Sequence, residues 1–170
     1  MLNVSAMSAL YAATLNAFKA QGWAYQEVQE MEVVESIFEA HHAKIPVHVQ
    51  VFGEAGIAST VATSSLTVPA SHRLTVCELV MRTNKELNLG AFEIDWDEGR
   101  VLFRVATVFP PHRHDERVLA SLVHAAVAEM DRLTPYLGEV CRTAKGELPL
   151  LRIPDLLRRE DLLPPAPPES

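Results

Sequence analysis

Two stretches near the middle of the chain alternate apolar and polar positions, and a short turn separates them. Apolar and acidic residues alternate over residues 91–96, and apolar residues return at every second position over residues 100–108. A period of two residues is typical of a β-strand. Gly90 precedes the first stretch at the point where a helical pattern stops, as glycine often does at a helix end. The pattern predicts a helix that leads into a β-hairpin.

Further strands are predicted in the first third of the chain. Residues 44–52 alternate most regularly, because four aliphatic residues, Ile45, Val47, Val49 and Val51, face one side. Other stretches of strand-forming residues are 25–28, 32–40 and 57–66, the last of them weaker and in part a possible irregular connection.

Three stretches repeat apolar residues at steps of three and four, which predicts amphipathic helices at residues 5–21, at 72–87 and from a cap at Asp115 to about residue 140. The third helix has an apolar stripe wider than one neighbour requires, and Pro135 within it predicts a kink or an interruption. The element order α-β-β-β-α-β-β-α predicts an α+β fold with an antiparallel sheet of about five strands.

The chain changes character after Gly146. The last 24 residues hold six of the eleven prolines and three Leu-Leu pairs, a composition that does not form a domain by itself. We therefore expect one α+β domain over residues 1–146. Residues 147–170 are expected to be a Pro/Leu-rich tail, docked on that domain or on a dimer mate.

Composition narrows the function classes. A formal net charge of −7 and a pI near 5.5 disfavour direct nucleic-acid binding, which needs clustered basic residues. No apolar run approaches the length of a membrane helix, and the N-terminus lacks the basic start of a signal peptide. These features predict a cytoplasmic protein with no membrane partner. Cys77 and Cys141 are expected to be buried thiols.

Few residues suggest a catalytic or metal-binding role. The His41-His42 pair and the group of His112, His114 and Asp115 are candidate metal ligands, but neither has the spacing of a known zinc motif. The acids at 97 and 98 fall in a turn, where a turn-forming role is favoured. There is no nucleophile motif, phosphate loop or dinucleotide fingerprint. We therefore expect no enzyme, no metal and no cofactor.

The central stretch, NKELNLGAFEIDWDEGRVLFR at residues 84–104, resembles the YbjN family, which is similar in fold to type III secretion chaperones. LASLVHAAVAEMDRLTPYL at residues 119–137 resembles the closing helix of that family. The likeness covers roughly residues 6–140. It implies a helix–sheet–helix domain, usually a homodimer, without recognised catalytic residues and with a role in bacterial stress response or regulation.

The main hypothesis is a non-enzymatic, homodimeric, chaperone-like module that holds a segment of a partner protein, by strand addition or by apolar contact with the sheet. The alternative is a small-molecule or signal-sensing regulator with its ligand between the sheet and the helices. A metal protein using the 112–115 group is the weakest hypothesis. The predicted dimer or partner interface consists of Leu119, Leu122, Val123, Met130, Leu156, Leu157, Leu162 and Leu163.

Overall fold

The alternating and helical patterns build an α+β structure, which the computed structural model describes for residues 7–163. The helices are α1 (Ala9–Gln21), α2 (Arg73–Glu86), α3 (Glu116–Arg142) and the short α4 (Ile153–Leu156). The strands are β1 (Gln26–Glu27), β2 (Val33–Glu39), β3 (Lys44–Phe52), β4 (Ile57–Thr67), β5 (Ala91–Ile94) and β6 (Arg100–Val108). The α+β class is confirmed.

The six strands form one antiparallel sheet in the order β1-β2-β3-β4-β6-β5. About five strands were expected, and the two-residue β1 brings the number to six. β4 is continuous over eleven residues although it consists mainly of small side chains, and its pairing with β6 shifts between Thr63 and Thr67. The part of this stretch that could have been an irregular connection is therefore a strand with a bulge-like shift.

α1 and α3 begin at residues whose side chains satisfy a free backbone N–H group of the first turn. The Ser8 hydroxyl accepts a hydrogen bond from the Tyr11 N–H, and the Asp115 carboxylate accepts one from the Arg117 N–H. Gly22 ends α1 in the left-handed conformation, with φ +69°. Because Ser8 is the cap, α1 begins later than predicted; residues 5 and 6 of that prediction lie outside the described residues.

All three long helices lie on one face of the sheet. α3 contacts β3, β4 and β6, and both α1 and α2 contact α3. The core forms between this helical layer and the sheet, with Val47, Val49 and Phe103 among its buried strand residues. α3 therefore packs against the sheet and against two helices, which explains its wide apolar stripe. Pro135 does not interrupt α3, which is helical over its full length.

One asparagine connects the predicted helix and hairpin. The Asn84 side chain accepts a hydrogen bond from the Phe92 N–H (2.7 Å) and donates one to the Phe92 carbonyl (3.0 Å). Gly90 has φ +74°, and a Cβ there would lie 2.5 Å from the Phe103 ring, so glycine is required. The alternation over residues 91–96 would place Trp96 on the same side as Phe92, but Trp96 is about half exposed because β5 ends two residues earlier.

The segment after α3 packs on its own chain. A 3-10 turn at Lys145–Leu150 leads to α4, which contacts α2. Ile153 and Leu156 of α4 are only 1% and 4% exposed and belong to the core. Residues 164–170, the end of the predicted tail, lie outside the described residues.

Candidate binding site on the open face of the sheet

The strands present a second face on which no helix of residues 7–163 packs, because α1 and α2 both gather around α3 on the other side. We call this second face the open face. It consists of the even-numbered residues of β3 and β6 and the odd-numbered residues of β2 and of β4 as far as Thr63. The side chains on this face determine which kind of partner surface the sheet can bind.

An apolar row crosses one end of the open face. Phe52 on β3 lies opposite Ile57 on β4, and Ile57 lies opposite Val108 on β6. Phe52 is 45% exposed and Val108 is 69% exposed. Adjacent exposed apolar side chains favour contact with another apolar surface. This row is therefore a candidate contact for a partner.

A row of three polar side chains and the buried Val61 crosses the middle of the same face. Cross-strand pairing places Glu35, His48, Val61 and Arg104 side by side on four neighbouring strands. Partial burial lowers the pKa of His48; the positive charge of Arg104 lowers it further, and Glu35 opposes the shift. His48 is therefore neutral near pH 7.

Arg104 is held in a fixed position at the far end of that row. Its guanidinium donates two hydrogen bonds to the Glu93 carboxylate of β5, at 2.9 and 3.3 Å. Two parallel bonds of this kind fix the plane of the guanidinium group. No ion pair engages Glu35 within residues 7–163, so the row ends in a bound cation on one side and a free carboxylate on the other.

A groove of about 640 Å³ crosses β2 and β3 on the open face. Glu35 and His48 line it together with Ile37 and Pro46, which are a cross-strand pair. Tyr25 and Arg100 also line the groove. The groove thus combines exposed apolar contacts with hydrogen-bonding groups, as sites for small ligands or peptide segments do.

The β2 edge is only partly covered. β1 pairs with Val34 and Glu35 alone, so Ile37 and Glu39 have no strand partner on that side among the described residues. Ile37 is also 67% exposed. A short extended segment could pair with such an edge through backbone hydrogen bonds.

The structure corrects the predicted interface. Leu119, Leu122, Val123 and Met130 are buried against the helices and sheet of their own chain, at 3% exposure or less, and Leu156 is buried with them. A side chain without exposed surface cannot contact a second subunit in this fold, so these residues form the core. Of the predicted set, Leu157 and Leu162 are half-buried and Leu163 is 51% exposed.

The His41-His42 pair lies apart from the open face, whereas His112 and His114 line cavities together with Val108 at the end of its apolar row. The His42 N–H donates a 2.7 Å hydrogen bond to the Asp131 carboxylate, and the His42 ring approaches the same carboxylate at 3.2 Å, which ties the β2–β3 turn to α3. The His112 and Asp115 group lies in the loop before α3, where hydrogen bonds from the Arg117 backbone lower the pKa of Asp115. Within residues 7–163 no three His, Cys, Asp or Glu side chains are grouped to hold a metal ion.

The sequence alone does not connect His48 with Glu35 or Arg104. The alternation places each of these on one side of its strand, but only the cross-strand register brings them into one row. Ile153 was also missed as an anchor of the tail. Its spacing of three from Leu156 was the available signal.

The fold defines a class: an antiparallel sheet with its helices on one face, as in type III secretion chaperone-like proteins. A chain in the crystal structure of the ExsC–ExsE complex is similar, with a TM-score of 0.59 at 10% sequence identity, over 77% of this chain and 97% of that chain. The predicted chaperone-like fold is therefore confirmed. At this identity the likeness concerns the fold alone.

The chain belongs to the YbjN family, whose description is "Putative bacterial sensory transduction regulator" and whose model matches residues 15–139. This confirms the resemblance noted in the sequence. The match ends within α3, before the tail. No curated protein matches the chain. Within residues 7–163, no helix has both the length and the apolar character that a membrane span requires.

Proposed function

We propose that this chain is a non-enzymatic, homodimeric, chaperone-like module that holds a segment of a partner protein on the open face, in a bacterial stress-response or regulatory system of the cytoplasm. Membership of the YbjN family and the chaperone-like fold support a partner-binding regulatory role. The homodimer and the use of the open face as the binding site are inferred from the exposed residues of the molecule.

The observation that carries the proposal is the unequal use of the two sheet faces. The helices cover one face, while the other presents the apolar row of Phe52, Ile57 and Val108 and the groove beside His48. Burying an exposed aliphatic side chain such as Val108 is worth roughly 1.5–3 kcal/mol. A partner segment that covers the row gains this free energy without displacing any part of the described chain.

Two carboxylates with lowered pKa values, Glu139 and Glu39, have structural roles in surface ion pairs. Hydrogen bonds from Arg142 and Arg159 lower the pKa of Glu139, and a hydrogen bond from Lys44 lowers that of Glu39. Both carboxylates are stabilised in their charged form by surface ion pairs. Groups held in this way are poor proton donors near pH 7.

The homodimer in the proposal needs a surface other than the buried side of α3. α2 turns Val76, Leu79 and Val80 to the core, while Leu74 and Met81 are 75% and 67% exposed on its outer side. Their separation by seven residues places them on one helical stripe. A second copy that presents the same stripe would cover both residues symmetrically.

A small-molecule regulator is the second candidate, and the structure changes where its ligand would bind. The space between the sheet and the helices is filled by core side chains such as Val49, Phe103 and Leu137. The groove on the open face instead brings polar groups of Glu35 and His48 beside apolar surface. A ligand of a few hundred Å³ would fit there.

Site-specific photocrosslinking in the native host tests the proposed function. A photoreactive residue is placed at Val108 on the open face, and in a matched chain at Leu74, which is similarly exposed on α2. We expect Val108 to crosslink a partner protein, and a Phe52→Asp substitution in the same chain to abolish that crosslink. Leu74 should crosslink only a second copy of the chain.

Two results would count against the proposal. If the Leu74 position crosslinks the same proteins as the Val108 position, the contact is not specific to the open face. If the Val108 position crosslinks nothing while an added small-molecule fraction raises the melting temperature, the second candidate replaces the first.

A further inference from the structure

The groove on the open face places an apolar pair of residues beside a polar pair. Ile37 and Pro46 lie opposite each other on β2 and β3, and both are exposed. Glu35 and His48 form the next pair on the same side of the sheet, two residues further along each strand, and they line the same groove. A long side chain that enters the groove therefore contacts apolar surface along its length and polar atoms at its end.

The charges at the groove leave one carboxylate unpaired. The guanidinium of Arg100, which also lines the groove, pairs with Glu98, and Arg104 is bound to a carboxylate of β5. Burial lowers the pKa of His48, so its ring adds no positive charge near pH 7. Glu35 is exposed and has no ion-pair partner within residues 7–163. The groove therefore offers a partner for a positive charge.

Short side chains separate the groove from the apolar row. Gln50, Ser59 and Ala106 lie side by side on β3, β4 and β6, and the small residues among them leave room for the backbone of a bound segment. His48 and Phe52 are four residues apart on β3, which is about 13 Å at the rise of a β-strand. An extended segment that follows β3 would place one side chain on Phe52 and the side chain four positions away at the groove.

We propose that the partner segment binds in an extended conformation, with a lysine or arginine in the groove and an apolar residue four positions away on the apolar row. The stem of the basic side chain packs on Ile37 and Pro46, and its charged group pairs with Glu35. An acidic side chain in the same place would be repelled by Glu35. The net charge of −7 also favours a basic segment. This inference rests on the proposed function and names the chemistry of the segment.

Selection from a peptide library tests the proposal without a known partner. Random twelve-residue peptides displayed on phage are selected on the full-length wild-type chain and, in parallel, on the full-length Val108→Asp chain. We expect the peptides enriched on wild type to carry Lys or Arg four positions from an aliphatic or aromatic residue. The Val108→Asp chain should not enrich them, because it lacks the apolar contact.

A charge exchange tests the pairing with Glu35. One enriched peptide is labelled with a fluorophore, and its binding is measured by anisotropy. We expect Glu35→Lys to weaken binding at least about tenfold, since repulsion replaces attraction. A peptide whose basic residue is changed to Glu should bind the Glu35→Lys chain more tightly than the original peptide does.

Glu39→Lys is the matched control, because it changes the net charge by the same amount. Glu39 is exposed on the same strand, about 13 Å from Glu35, and does not line the groove. At 0.15 M salt, where exposed charges more than about 8 Å apart are largely screened, this variant should bind the peptide within about twofold of wild type. Urea unfolding confirms that both variants fold.

The outcomes separate this inference from the proposed function. If the enriched peptides lack a basic residue at that spacing, or bind the Glu35→Lys chain as tightly as wild type, the inference is wrong and the open face remains the binding site. If the Val108→Asp chain enriches the same peptides, the open face is not the binding site and the proposed function fails too. A selection that enriches no peptide on wild type overturns the inference alone.

Discussion

The two faces of the sheet are built from the same strands, but one face is buried under helices and the other is not. On β6, Val105 points to the helices and is buried, while Val108 points to the open face and is largely exposed. On β3 the same holds for Val49 and Phe52. One face contributes most of the core, and the other is free to contact a partner.

The hydrophobicity of a residue does not by itself assign its role. Val108 is as apolar as Val105, and α3 has apolar residues both inside and outside the core. The buried and the exposed apolar residues differ in whether another element of the same chain packs on them. Here α3, joined by α1 and α2, covers one face, and the apolar row on the other is left for a contact beyond the chain.

The largest contrast is expected on α3. Met130→Ala should lower the free energy of unfolding by about 2–5 kcal/mol, because it leaves a cavity at a fully buried position. Val118→Ala, at an exposed position on the same helix, should change it by less than about 0.5 kcal/mol. Urea unfolding of both variants measures the difference. If the Met130 variant were a folded monomer of unchanged stability, Met130 would belong to an interface between subunits and not to the core.

Asn84→Ala should have the next largest effect. The substitution leaves the N–H and carbonyl of Phe92 without their side-chain partner and frees β5 from α2. We expect a loss of about 1–3 kcal/mol in urea unfolding. Thr83→Ala is the neighbouring control, since its hydroxyl bonds only within α2. Equal losses in the two variants would contradict the role given to Asn84.

A smaller effect concerns pH. The lowered pKa of His48 means that the unfolded chain, with a histidine pKa of about 6.5, binds the proton more readily than the folded one. The stability that depends on neutral His48 is complete above that pH and is lost as the pH falls below it. His48→Gln should therefore lose less stability than wild type between pH 7 and pH 5 in urea titrations. An unchanged pH profile would contradict the burial of His48.

The smallest effect on stability is expected at Val108. Val108→Ala should change the free energy of unfolding by no more than about 0.5 kcal/mol. Val105→Ala, three residues earlier on the same strand, should cost roughly 1.5–3 kcal/mol because its side chain is buried. Thermal unfolding of the pair compares the two faces directly. A large cost at Val108 would mean that the open face is covered within the chain.

Much of the fold could be predicted because local patterns determine the elements. The regular alternation at 44–52 gave β3 with its observed ends, and Gly22 and Gly90 lie where the structure needs left-handed residues. β5 ended earlier than its alternation suggested. Such ends depend on the turn that follows, which at Asp95 is held by its carboxylate accepting bonds from two backbone N–H groups.

The candidate site could not be predicted, because it depends on long-range pairing. The register that aligns Glu35, His48 and Arg104 joins residues up to 69 positions apart, which no local pattern specifies. The wide stripe of α3 was visible, but sequence alone could not say whether its second neighbour was another subunit. In the structure α1 and α2 of the same chain take that place.

Whether the open face holds the partner is tested most directly by one comparison of affinities. The partner crosslinked through Val108 is purified, and its dissociation constant is measured with two full-length variants, Val108→Asp and Leu74→Asp. We expect at least about tenfold weaker binding for the open-face variant, since a buried apolar contact is replaced by a charge, and unchanged binding for the α2 variant. The reverse order would contradict it.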